Sequence, residues 1–251
     1  MITSTPVASK QRLSFDGIAM RFADGTQALR DISFDISAGE FVTIVGPSGC
    51  GKSTLLKITS GLLDQTSGSM SLDGKLAYVF QDATLLPWRT VRANVELLGE
   101  LEGVPKERRR RLAREAIDLV GLSGFDDRYP NALSGGMKMR ASLARALTLQ
   151  PDVFLFDEPF GALDEITRER LNDELLELFG ASAFAGLFIT HSIAEAVFLS
   201  TRVLVMSARP GRIVGDFPVS FPYPREPDLR FDPAFAELSG QVSHALREGH
   251  A

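Results

Sequence analysis

The chain has 251 residues, 44% of them apolar and 24% charged, with 27 Lys and Arg against 32 Asp and Glu for a net charge of −5. These values suit one large α/β domain or two small ones, and they exclude a disulfide-stapled miniprotein and wholesale disorder. The acidic balance lends no support to nucleic-acid binding. The single cysteine, Cys50, has no internal disulfide partner and fits a reducing compartment.

The opening MITSTPVASK lacks the apolar run of a signal peptide. LSFDGIAMRF and ALRDISFDIS predict strands, with turn signals at Asp24-Gly25 and Ala38-Gly39. FVTIV (41–45) is the continuous β-rich run of a strand buried on both faces. Glycine-rich GPSGCGKST (46–54) follows, then LLKITSGLL (55–63) with helical spacing, then a further strand at LAYVF (76–80). From about Pro87 to Gln150 an Arg- and Leu-rich helical periodicity takes over, broken by Pro105 and Pro130. Buried-strand runs return at VFLF (153–156), GLFIT (186–190) and RVLVM (202–206), with helical segments at 165–179 and 192–200. Strands alternating with helices predict a parallel sheet.

The longest weakly charged apolar stretch, 178–190, has 13 residues, against roughly 20 for a membrane span. The chain is therefore expected not to cross a bilayer by itself. Proline-rich FPVSFPYPREP and the polar helical tail after it read as a loosely attached extension. The predicted architecture is an α/β domain over 11–216 with a helical insert at about 85–150, followed by a C-terminal extension, 217–251.

Gly46-Pro47-Ser48-Gly49-Cys50-Gly51-Lys52-Ser53 fits G-x4-G-K-[ST], between a predicted buried strand and a predicted helix, and Thr54 after it is a further nucleotide-binding candidate. The glycines let backbone N–H groups converge on phosphate oxygens, and the helix start adds positive potential. Lys52 can reach the β- and γ-phosphates, and the Ser53 hydroxyl can ligate Mg²⁺. Cys50 reads as a small residue fitting a tight loop, although a helix start can activate a thiol. A triphosphatase also needs a carboxylate for the metal and a group to position water. Asp157 and Glu158, at the end of the VFLF strand, offer both: Asp157 for Mg²⁺, Glu158 for the attacking water. His191, after GLFIT, sits at another strand end of the same kind; His244 and His250 read as tail residues.

Leu133-Ser134-Gly135-Gly136 precedes Asp157 by 24 residues. With the phosphate loop, the Asp-Glu pair and Thr190-His191, it makes residues 12–215 resemble the ATP-binding subunit of an ABC transporter. The resemblance implies a P-loop ATPase core with an N-terminal antiparallel β subdomain and an inserted α-helical subdomain. It implies that Phe22 stacks on adenine, that Gln81 contacts Mg²⁺ or water and reports to a membrane subunit, and that His191 touches the γ-phosphate. It implies that Ser134, Gly135 and Gly136 cap the γ-phosphate held by a second copy in a head-to-tail dimer. Ala162-Leu163-Asp164 resembles the loop that crosses that dimer interface. The implied cofactors are ATP and Mg²⁺.

LLPWRTVRANV (85–95), DEPFGALDEITR (157–168) and THSIAEAVFLSTRVLVMSARPGRI (190–213) are similar to importers of the nitrate, sulfonate and taurine group. That group implies integral membrane permease subunits docking near Gln81 and Trp88, and an external solute-binding protein acting indirectly. It also implies a peripheral location on the cytoplasmic face of the inner membrane. Two positions depart from the family pattern: Met137 follows the LSGG, and Ser192 stands where an Asp usually follows the His. Neither removes a phosphate or water contact.

The basic run Lys106 to Arg114 reads as a solvated helix face rather than a nucleic-acid site, with Glu102, Glu107 and Glu115 beside it. A soluble ABC ATPase acting on DNA or ribosomes is the alternative reading. Only 105 residues separate Lys52 from Asp157, with no sustained heptads and a single such domain, which disfavours it. A small-molecule kinase or GTP switch leaves LSGG unexplained and lacks N-K-x-D.

Overall fold

The computed structural model describes residues 10–181 and 184–249. The chain opens with β1 (Gln11–Arg21), β2 (Gln27–Ser37), β3 (Phe41–Val45), α1 (Lys52–Thr59), β4 (Ser67–Leu72) and β5 (Leu76–Val79). Four helices follow: α2 (Val91–Val95), α3 (Leu97–Leu101), α4 (Lys106–Leu119) and α5 (Gly135–Leu147). Then come β6 (Val153–Asp157), α6 (Glu165–Ala181), β7 (Ala185–Thr190), α7 (Ile193–Leu199), β8 (Arg202–Met206), β9 (Ile213–Pro218) and α8 (Pro233–Glu248).

Strands β2-β1-β4 form an antiparallel sheet, and β5-β6-β7-β3-β8-β9 form a second sheet, parallel except for β9. β1 buries Leu13 and Phe15, then Ile18 and Met20. Its period of two resets at the register irregularity around Gly17, as a β-bulge requires. In the larger sheet both faces are covered. Phe154 and Phe156 of β6 face the helical layer, and Val153 and Leu155 face the antiparallel sheet and α1. This is why these strands read as unbroken apolar runs.

Several expectations are refined. The helix after the glycine-rich loop stops at Thr59 rather than running on to Leu63. Gly61 takes φ 71°, and Leu62 N–H closes on Lys57 O at 2.9 Å, a left-handed glycine stop. β5 ends at Val79, and Phe80 stacks on Tyr78 with ring centroids 4.0 Å apart. β4 has no apolar alternation; SGSMSL is an exposed edge strand recruited by pairing with β1. On α4, Ala113, Ala116 and Ile117 are buried, while Arg108, Arg110, Arg111 and Arg114 face outward. Arg109 turns back to Glu96 at 3.0 Å.

The segment from residue 217 is not loosely attached. Phe217 lies within β9, and Val219, Phe235 and Val242 belong to the main core. Its prolines are interleaved with anchors. Tyr223 OH donates to Leu199 O at 2.6 Å. Buried Arg225 donates to the carbonyls of Val197, Phe198, Ser200 and Phe221. The C-terminal end of α7 thus meets a cation where its carbonyls lack intrahelical partners. Arg225→Ala leaves those acceptors unpaired at a cost of about 3 kcal/mol. For a chain of this size the expected result is a fall in Tm of roughly 6–12 °C, read by thermal unfolding; an unchanged Tm would contradict this account of the tail.

Candidate functional site

The C-terminal ends of β3, β6 and β7 lie side by side, with Val45 paired to Thr190 and Asp157 to Ile189. In an open α/β sheet this is the edge at which ligands bind. It brings together the glycine-rich loop, the Asp157-Glu158 pair and His191.

The loop turns directly into α1. Gly51 caps that helix at φ 113°, and a Cβ there would lie 2.6 Å from Leu29 Cδ2 and 2.9 Å from Ala28 O. Only glycine satisfies both the backbone angle and the space. No side chain caps α1, so its first N–H groups are available to an anion. Lys52 is buried, and Nζ donates to Gly46 O at 2.7 Å and to Pro47 O at 3.0 Å.

Ser53 Oγ donates to Asp157 Oδ1 at 2.9 Å, and Tyr78 OH donates to Asp157 Oδ2 at 3.1 Å. Burial first, and then the charge of and hydrogen bond to Asp157, push the Tyr78 phenol far up, so it remains a donor. Glu158 follows at φ 45°. Such a backbone costs a non-glycine residue about 1–3 kcal/mol and clusters at functional sites. The turn is pinned by Glu158 N–H to Ile189 O and by Gly161 N–H to Glu158 O, both at 3.0 Å. It sets Glu158 Oε2 3.3 Å from His191 Nδ1. A methyl built on Gly161 would lie 3.6 Å from Glu158 Oε2 and 3.7 Å from Gln81 Nε2, so both side chains border the same turn.

Phe22, Ser48, Gly49, Gly51, Lys52, Ser53, Thr54, Gln81, Asp157 and Glu158 line one open cleft of about 260 Å³. Gly46, Pro47 and Cys50 belong to the loop but do not line the cleft, and His191 joins through Glu158. Cys50 is only 1% exposed, and burial pushes its thiol up. It is expected to resist alkylation near neutral pH in the native chain and to react once the chain is denatured, which a mass-shift assay reads. Rapid labelling of the native chain would contradict the burial argument.

Ser134, Gly135, Gly136 and Asp164 do not line the cleft. Ser134 is the N-cap of α5 and accepts from Met137 N at 3.3 Å. Gly135 and Gly136 approach Leu163 and Thr167 of the same chain. Asp164 is exposed and accepts from Thr167 N, a bond that holds its carboxyl below the usual range. Ser192 caps α7, accepting from Glu195 N at 3.3 Å, so the departure from Asp keeps a capping side chain. Two neighbours of the site carry little signal in the sequence. Tyr78 sits mid-strand with nothing to mark it. Arg209, which lines the cleft, follows a fourth strand end at the same sheet edge, and that position was its only signal.

The fold and its loop define a phosphate-loop nucleotide-hydrolysing protein. Residues 29–161 match the family described as ABC transporter. The chain is 44% identical to the aliphatic sulfonates import ATP-binding protein SsuB 1 of Pseudomonas savastanoi pv. phaseolicola, covering 90% of this chain and 92% of that one. It is also 44% identical to the taurine import ATP-binding protein TauB of Rhizobium johnstonii, covering 91% and 92%. Among solved structures, a dimeric bacterial ABC transporter cassette superposes with a TM-score of 0.72 at 31% identity, over 83% of this chain and 99% of that one. The chain belongs to the ABC transporter family, as its ATP-binding, ATP-hydrolysing cassette. No helix among the described residues is long and apolar enough to cross a membrane.

Proposed function

We propose that this chain energises import of a small solute of the nitrate, sulfonate or taurine kind, working as a head-to-tail pair of copies on the cytoplasmic face of the inner membrane. The observation that carries this reading is the division of the site. The phosphate loop, Asp157 and Glu158 share one cleft, His191 meets it through Glu158, and the exposed Ser134 loop lies outside it. A second copy would bring its Ser134, Gly135 and Gly136, at the start of α5, over the terminal phosphate. Asp164 would lie along the seam. The import names of the relatives and the dimeric state of the solved cassette support the reading.

In this reading Phe22 stacks on adenine, and the N–H groups of the loop and of α1 through Thr54 hold the phosphates. Lys52 exchanges the carbonyls of Gly46 and Pro47 for the β- and γ-phosphate oxygens. Ser53 Oγ and Asp157 Oδ1, 2.9 Å apart, with Gln81 in the same cleft, form a hard-oxygen donor set that fits Mg²⁺. Held there, Mg²⁺ would supply positive charge against the phosphates. Glu158 orients and polarises the attacking water, and His191 braces Glu158 and faces the terminal phosphate. Closure with ATP and reopening after hydrolysis follow from the different affinity of the two copies in each state.

The face near Gln81 receives the permease. Trp88, seven residues further along the chain, is 71% exposed beside Pro87, an aromatic anchor of the kind that dominates interfaces. The external solute-binding protein acts only through that permease. The test is affinity purification from detergent-solubilised membranes, with the co-purifying proteins identified by mass spectrometry. A polytopic membrane protein retained with ATP supports the reading. Ribosomal or DNA-associated proteins without any membrane protein would sink it.

A further inference from the structure

We infer that Arg209 is a nucleotide-binding residue that closes the base end of the cleft, its guanidinium plane covering the purine ring that Phe22 stacks from elsewhere in the same cleft. The inference rests on the nucleotide reading of this cleft and adds a residue to it. Arg209 lines the cleft together with Phe22, Ala28 and Gly49. Its Nε and Nη2 both donate to one oxygen, Gly49 O, at 3.1 and 2.9 Å. That fixes the plane of the guanidinium and leaves Nη1 with no hydrogen-bond partner and the group in no close ion pair among the described residues, although its charge also acts on the Asp24 carboxylate.

The support beneath it is rigid. The turn after β8 is tied by three backbone bonds, two to β2 and one to Gly249. Gly211 N–H donates to Ala28 O at 2.9 Å, Arg30 N–H to Gly211 O at 3.0 Å, and Ala208 N–H to Gly249 O at 3.0 Å. Ser207 Oγ accepts from Arg212 N at 3.1 Å and donates back into the turn. A Cβ on Gly211 would lie 2.3 Å from Cys50 O, so the turn is seated directly against the phosphate loop. A charged, planar, exposed group held this way is preorganised for an aromatic ligand rather than left to solvent. Phe22 is 39% exposed in the same cleft, which gives a purine one aromatic face and one cationic face. Lys52 and the start of α1 serve the phosphate end, so the two cations divide the ligand between them.

The experiment compares binding of Mg-ATP, Mg-ADP and magnesium tripolyphosphate by titration calorimetry to the wild type, Arg209→Ala and Arg209→Lys. Stacking of this kind predicts about a three- to thirtyfold loss for ATP and for ADP, with tripolyphosphate weakened distinctly less because Arg209 also holds Gly49 O of the phosphate loop. Arg209→Lys keeps a donor for Gly49 O but not the plane, so it should retain much of the loss. Equal weakening of tripolyphosphate, full recovery in the Lys variant, or no change in any ligand would overturn the inference. A wild type that binds none of the three would overturn the nucleotide reading itself, and this one with it.

Discussion

Glu158→Gln is expected to lower kcat for ATP hydrolysis by roughly 10²–10⁴-fold while leaving Mg-ATP binding intact and trapping the two-copy state. The substitution conserves shape, so the turn at φ 45° and its two backbone bonds to Ile189 and Gly161 persist. It removes the negative charge and the second acceptor oxygen. A carboxylate can take up positive charge from water as it attacks; an amide cannot. His191 Nδ1, 3.3 Å from Glu158 Oε2, can still meet the amide, so the geometry around the terminal phosphate survives. Phosphate release, nucleotide binding and sedimentation read the three parts separately. A monomeric variant with wild-type turnover would contradict the role given to Glu158.

Lys52→Ala should act earlier, on binding. Lys52 is a buried cation whose Nζ rests 2.7 Å from Gly46 O and 3.0 Å from Pro47 O. Those carbonyls hold it at the mouth of the loop. A triphosphate offers a stronger, fully charged partner at short range, so the ammonium transfers to it. Removing one partner of a desolvated charge pair costs about 3–5 kcal/mol, which predicts at least a roughly 10²-fold weaker Kd for Mg-ATP. Calorimetric titration reads this directly. Binding within a few-fold of wild type would show that the loop backbone and α1 carry the phosphates without Lys52.

Most of the α/β frame was readable because its strands are buried on both faces and carry unmistakable apolar runs, as FVTIV and VFLF do. The phosphate loop was readable because glycine at position 51 and lysine at 52 answer to local backbone and charge requirements. β4 was not, because SGSMSL is an exposed edge strand whose only reason to form is its partner β1. The anchoring of the tail is not legible in the sequence for a related reason. Proline spacing signals a linker locally, while Tyr223 and Arg225 are anchors only because α7 ends beneath them. Tyr78 and Arg209 reach the site through tertiary placement alone. That Ser134 lies away from the cleft is likewise a three-dimensional fact, although its role in a partner's site was already implied by the family resemblance.

In the proposed pair, each nucleotide would be held by the phosphate loop of one copy and the Ser134 loop of another. Mixing two inactive variants tests it most directly. Ser134→Arg spoils one half of the site, and Lys52→Ala spoils the other. In a mixed pair, one of the two sites combines an intact phosphate loop with an intact Ser134 loop. The account predicts that ATPase activity, absent from each variant alone, returns on mixing in proportion to the share of mixed pairs. If both variants are folded and their mixture stays as inactive as its components, the site is not shared between copies and the account fails.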